Sequence, residues 1–353
     1  MHAVGGLDPG QGGIIGIIVG MRSLILLALP WLLVAADPAD PIALLPALVR
    51  TEPEVRKEPP VDEAAAMTLA PGIRVVVGRM VALAGVMQMD QGPTDGLEVV
   101  ACLRDGKTHE TMVRLDTDAA AVVKAAVLAA LGPQDGQPTA EGSGMPARGV
   151  PMRVRVHWQE DDGMWRSTDA STLVRDRVVD RPYPPLPYIY TGSHERVVQE
   201  AGPDGAPVRR TRFMLENSKT VVGNYDEPDM LLASPFPGSI RDDRFEIHSA
   251  LAPFVRTRVV VTIEAAALPL ILRADGEVLQ DPEGRVLGED LLEALLARVY
   301  GAGATPGLRA VGVVVAPQAA REIDVRIRER ILAAAARARA WVVPVFTISV
   351  PAR

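Results

Sequence analysis

The chain has 353 residues, with 37 Lys+Arg against 44 Asp+Glu, 48% hydrophobic residues, 4% aromatics and a formal net charge of −7. That balance excludes a wholly disordered chain, a collagen-like repeat and a disulfide-rich scaffold, and the acidic surplus argues against nucleic acid as a partner. A single cysteine, Cys102, leaves no intrachain disulfide and no cysteine-held zinc or iron–sulfur centre.

Near the N-terminus, Met21-Arg22-Ser23 precedes an apolar run that ends in Val34-Ala35-Ala36. A short positive segment, about a dozen apolar residues and small residues before Asp37 make the pattern of an export signal, residues 1–36, with the true start at Met21. The apolar run is shorter than the about 20 residues of a membrane span. The alternative, an uncleaved anchor extended upstream over residues 14–20, puts Arg22 inside the bilayer at a cost. Either way the body of the protein is exported to the bacterial periplasm or cell envelope, and membrane contact is confined to this segment. A chain nearly without cysteine fits an oxidising destination. Residues 37–72, rich in Pro, Ala and acidic side chains, read as a disordered linker.

Residues 73–87 read as strand, interruption, strand, and residues 97–103 as an apolar strand. A tight turn at Asp105-Gly106 and the alternation over 108–115 predict a hairpin. Asp116-Thr117-Asp118 offer caps for an alanine-rich helix over 119–131, stopped by Gly132-Pro133. The Gly- and Pro-rich residues 132–149 read as a surface loop. Residues 152–159 alternate, with Met152, Val154, Val156 and Trp158 on one face and Arg153, Arg155 and His157 on the other, which predicts a half-buried strand. Further strands are expected at 173–178, 188–190, 213–222 and 258–263. From residue 268 the order becomes hairpin, helix (289–300), strand (310–315), helix (323–339), strand (341–350). The class is α+β: a β-rich domain over 73–265, followed by a smaller β-β-α-β-α-β two-layer sandwich over 266–353.

The densest polar group is Asp105-Gly106-Lys107-Thr108-His109-Glu110-Thr111. On a strand, His109 and Glu110 face opposite ways. A lysine, a histidine and a carboxylate beside a tight turn can hold an anion or position a proton, or can be a solvated hairpin with a cross-strand ion pair. Thr191-Gly192-Ser193-His194-Glu195 invites a hydrolase reading with Ser193 as nucleophile, although the chain has no Gly-x-Ser-x-Gly elbow there. His157, His194 and His248 stand singly, without metal-ligand spacing, and no cofactor or metal is implied.

Residues 73–265 resemble the YdjY family of exported bacterial proteins. The resemblance rests on Gly106-Lys107-Thr108-His109-Glu110, on Tyr190-Thr191-Gly192-Ser193, on Val221-Val222-Gly223-Asn224-Tyr225-Asp226-Glu227-Pro228-Asp229-Met230-Leu231-Leu232, and on the strand at 259–263. It implies that Lys107, His109 and Glu110, with Ser193 and Asn224, belong to a ligand-binding site. Residues 258–351 resemble the periplasmic domain of ExbD/TolR proteins, through Leu272-Arg273-Ala274-Asp275-Gly276-Glu277-Val278 and the strands and helices that follow. The transmembrane helix with an acidic residue that precedes that domain in ExbD/TolR has no counterpart here, so proton-driven force transduction is not implied. The resulting expectation is an exported binding protein, with an envelope protein or a small molecule as its partner. The alternatives are a hydrolase using Ser193 and a histidine, and a structural component that forms a homodimer through the C-terminal sheet edge, about residues 341–350.

Overall fold

The computed structural model describes residues 52–348, apart from 93–94, 133–135, 202, 204, 237–238 and 302–306. The export signal, most of the expected linker and the last residues of the C-terminal strand lie outside the described residues. The described residues all fall within one compact unit. Among the described residues no helix is long and apolar enough to cross a membrane.

The fold is mixed α+β and strand-rich, and its centre is a closed ring of eight strands. The chain enters through β1 (Glu54–Arg56), β2 (Met67–Ala70), β3 (Ile73–Val76) and β4 (Met80–Met87), then β5 (Val99–Cys102), β6 (Thr111–Leu115) and helix α1 (Ala120–Leu131). It continues through β7 (Val150–Gln159), β8 (Trp165–Asp169), β9 (Val174–Asp176), β10 (Arg181–Pro182) and β11 (Tyr188–Tyr190). A two-stranded arm of β12 (Glu195–Ala201) and β13 (Pro207–Phe213), the short helix α2 (Leu215–Ser218), β14 (Thr220–Gly223), β15 (Leu232–Ala233), β16 (Phe245–Ile247) and β17 (Arg258–Ala265) follow. The ring runs β4-β17-β7-β11-β15-β14-β5-β6 and returns to β4. Closure leaves these strands no free edge. The longest members, β4, β7 and β17, are buried or half-buried over most of their length, and β17 is β-branched from Val259 to Ile263, which suits a pleated surface. Helix α1 lays small buried residues, Val123, Ala126, Val127 and Ala130, on the core.

The last part has the order β18 (Leu270–Asp275), β19 (Val278–Gln280), α3 (Glu289–Tyr300), β20 (Ala310–Val315), α4 (Arg321–Arg337), β21 (Val343–Ile348). Its sheet is ordered β19-β18-β20-β21, with β18, β20 and β21 parallel and the helices as crossovers. The sheet changes where the sequence predicts a boundary, yet its buried residues belong to the same apolar cluster as the ring.

Three expectations are corrected. The described part of the expected linker, 52–72, is built into the fold. β1 pairs with β8, β2 pairs with β3, and Val61 is buried. Arg56 Nη2 donates to His157 Nδ1 at 3.0 Å and Glu54 pairs with Arg155, so long-range partners order strands too short to show a period.

The expected hairpin of β5 and β6 is instead a parallel pair, in register Val99↔Thr111 and Ala101↔Val113. The antiparallel neighbour of β5 is β14, and the Leu103 N–H donates to Lys219 C=O just past the strand. The connection then folds back along β5. A Cβ on Gly106 would stand 2.8 Å from Lys219 Cβ and 2.9 Å from Cys102 Cβ, so glycine is what permits the return.

The expected surface loop, in its described part 136–149, is a strap between the ring and the C-terminal part. Arg148 lies buried at 1% exposure and makes a bidentate pair with Asp324 in the first turn of α4, at 2.7 and 3.0 Å. Its guanidinium also donates to the carbonyls of Ala319 and Ala320. Arg321 reaches Pro146 C=O, and Arg328 Nη1 donates to Gly144 C=O at 2.9 Å. The Tyr183 and Trp341 rings meet edge-on at 6.1 Å beside this joint.

The strap also reaches the C-terminal edge at one position. Gly149 N–H donates to Phe346 C=O, and Arg148 bridges Phe346 in parallel fashion. The outer edge of β21 is therefore occupied at Phe346 by this chain, not open to a second copy there. Close approach is again a glycine's doing: a Cβ on Gly149 would sit 1.9 Å from Tyr190 O.

Candidate functional site

The 103–110 connection places Lys107 by backbone geometry. Gly106 N–H donates to Leu103 C=O, Thr108 N–H to Gly106 C=O and Glu110 N–H to Lys107 C=O. Thr111 Oγ1 donates to the same Lys107 carbonyl at 2.5 Å. Residues 107–110 therefore lie in a turn before β6, and the alternation that would send His109 and Glu110 to opposite faces does not apply to them.

Lys107 Nζ lies 3.1 Å from Glu98 and 3.7 Å from Glu227. Glu98 sits just before β5, and Glu227 follows β14, where Thr220 Oγ1 donates to it at 3.1 Å. Glu110 closes the group: its carboxyl lies 3.1 Å from His109 Nε2 and feels the charges of Glu98 and Lys107. Burial raises the Glu110 carboxyl above the usual range, and the neighbouring Glu98 adds to this. Burial likewise raises Glu227, against the pull of Lys107. For Lys107, burial disfavours the charge, but Glu227, Glu98 and Glu110 outweigh it and hold the ammonium above its ordinary value. One cation thus faces three carboxylates in a half-exposed notch. His109 stands on its rim, its side chain 77% exposed and its Nε2 3.1 Å from Glu110.

Ser193 and Asn224 lie inside the fold, not in this notch. Asn224 is fully buried. It accepts from Tyr188 Oη at 3.2 Å and donates to Leu97 C=O at 3.2 Å, while its backbone N–H donates to Glu98 C=O. It is a bracket that fixes the backbone under Glu98, a positioning role for the notch and no ligand contact. Ser193 is 3% exposed at φ +45°, and its Oγ has no hydrogen-bond partner among the described residues. Its neighbour His194 turns elsewhere, Nδ1 to Pro228 C=O at 3.1 Å and Nε2 accepting from Arg196 at 2.7 Å. Ser193 Oγ and the His194 ring therefore do not meet in a hydrogen bond.

Two participants carry no signal in the sequence. Glu98 and Glu227 are single carboxylates far apart in the chain, and only the β14–β5 pairing brings them to Lys107. A second polar site escapes the sequence in the same way. A cavity of about 90 Å³ lies between the strap, the ring and α4, with Asp226, Ser234, Ser239 and Arg328 as its polar side chains. Asp226, beside Glu227 in sequence, points into this cavity, while Glu227 serves the notch.

Compared with family models, curated proteins and solved structures, the chain matches none.

Proposed function

We propose that the chain is an exported protein of the bacterial periplasm or cell envelope that works by binding an envelope protein or a small-molecule ligand, and that the turn carrying Lys107, His109 and Glu110 is its recognition surface. The observation that carries this reading is the notch itself. Lys107 is held by its backbone against three glutamates, and the site keeps an uncompensated negative charge at an exposed rim. Burial, and the charge of Glu98 beside them, raise Glu110 and Glu227, and such carboxylates gain when a positive group arrives, so the charge balance selects a cationic moiety on the partner.

The envelope assignment rests on the signal pattern of residues 1–36 and on the resemblances to YdjY and to the ExbD/TolR periplasmic domain. On this reading residues 73–265 form a β-rich domain and residues 266–353 a two-layer sandwich docked on it. The test is purification of the full chain from the envelope fraction of its bacterial host, followed by native mass spectrometry. A mature N-terminus at Asp37 and a bound species lost from Lys107→Met and Glu227→Gln are the expected results. A chain that stays in the cytoplasm with its first residues intact, or one equally bare in wild type and variants, contradicts the proposal.

A further inference from the structure

The cavity at the joint has features that the notch lacks. Its walls are mostly apolar, with Pro146, Phe236 and Phe346 among them, and two opposite charges enter it from different elements. Asp226 is 7% exposed. One of its oxygens accepts from Ser239 Oγ at 2.5 Å, and its backbone N–H donates to Ser239 C=O at 2.8 Å. Its second oxygen has no partner among the described residues. Arg328, on α4, spends Nη1 on Gly144 C=O, and its other N–H groups are likewise unpartnered among the described residues. Asp226 and Arg328 feel each other's charge but do not meet in an ion pair.

Two opposite charges line one small cavity without closing on each other, and Arg328 is only half-buried, so the free atoms of both remain available to a ligand that enters it. A lone cation there is repelled by Arg328, a lone anion by Asp226, and a neutral molecule leaves both charges uncompensated. A molecule with a positive and a negative end satisfies both. A void of about 90 Å³ limits it to a few heavy atoms. We propose that this cavity binds a small zwitterion, an α-amino acid of the size of glycine or alanine, with its ammonium at Asp226 and its carboxylate at Arg328. Ser234, whose Oγ already accepts the Phe236 N–H at 3.0 Å, still has a hydroxyl proton for the carboxylate end. Burial holds the Asp226 carboxyl up at about 6, against Ser239 and Arg328. An arriving ammonium lowers it, so binding weakens as pH falls below that value.

This site is independent of the Lys107 notch, and its test uses different probes. Isothermal titration calorimetry of the full chain at pH 7.5 is run with glycine, ethylamine, acetate and acetamide, each alone. Saturable binding of glycine is expected, at least tenfold stronger than of the other three and at least tenfold weaker at pH 5. Asp226→Asn and Arg328→Met, checked for a native melting transition, each lower glycine affinity at least tenfold. If Arg328→Met does not fold, Asp226→Asn, which removes a buried charge, still decides the matter. No binding of glycine at millimolar concentration, equal binding of acetate or ethylamine, or unchanged affinity in a folded Asp226→Asn each overturns the proposal and leaves the cavity to water.

Discussion

The Arg148–Asp324 pair and the Lys107 notch are both built from a base surrounded by acceptors, and they do opposite work. At the joint one guanidinium meets one carboxylate in bidentate fashion, both nearly without exposure, while Nη2 also donates to the carbonyls of Ala319 and Ala320 and Nη1 to Gln137 Oε1. The pair itself is neutral and its donors are used, with the Arg321 guanidinium beside it 3.8 Å from Asp324. At the notch three carboxylates share one ammonium, burial raises two of them, and a histidine stands exposed at the rim. A dry, balanced pair fastens elements together; a wet, unbalanced group has interaction capacity to spare.

The largest effect that separates the two belongs to the joint. Asp324→Ala strands a buried guanidinium and is expected to cost about 3–5 kcal/mol in urea unfolding, while Arg148→Met with Asp324→Leu recovers much of the loss. Equal losses in the single and double variants break the comparison. Next comes pH. His157 is buried between Arg56 and Thr262. Because arginine only donates, Nδ1 is the acceptor and the Nε2–H donates to Thr262 Oγ1 at 2.8 Å. Burial, with Arg155, Arg56 and Arg153, depresses its pKa to about 2. The unfolded chain therefore takes up this proton first, and the contribution of His157 is present above its unfolded pKa of about 6.5 and lost as pH falls, roughly 3 kcal/mol by about pH 4.5. Asp226 acts in the opposite sense. Its folded value of about 6 lies above the ordinary aspartate value of 3.8, so the folded state gains stability as pH falls through that window. Chemical unfolding from pH 7 to 4.5 is expected to show a flatter acid loss in His157→Gln and a steeper one in Asp226→Asn.

A smaller effect sharpens the notch. Gly106→Ala forces a Cβ against Lys219 and Cys102 and is expected to cost about 1–3 kcal/mol in thermal unfolding, and to move Lys107 off Glu98. The smallest is Ser193→Ala. With no partner on its Oγ, its loss is expected to change stability by less than about 0.5 kcal/mol and to leave partner binding intact. A large loss of binding there moves the site away from Lys107.

Where structure follows a local period, the sequence showed it: the alternation of β7, the Val- and Ile-rich β17, the alanine-rich α1 and the amphipathic α3 all stand where the pattern puts them. Pairing was not legible. Asp105-Gly106 carries the same turn chemistry whether the chain forms a hairpin or folds back, and only the presence of β14 decides for the parallel pair. β1 is three residues long and depends on His157 and Arg155, a hundred positions away. The strap looked like a loop because Gly and Pro fill it; its one buried arginine gains meaning only opposite Asp324. Of the site, Lys107, His109 and Glu110 were visible as a compact cluster. Glu98, Glu227, Asp226 and Arg328 were not, because each is an isolated charge whose partners come from other elements.

The account stands most directly on the notch. Nuclear magnetic resonance of the full chain, with lysine- and arginine-containing peptides and with spermidine added in turn at pH 7.5, reads it out. At least one cationic probe is expected to shift the resonances of His109 and Lys107 saturably, with the shift lost in Glu98→Gln/Glu227→Gln. Probes that leave both residues unmoved, or that shift them equally in that variant, contradict a recognition surface at Lys107.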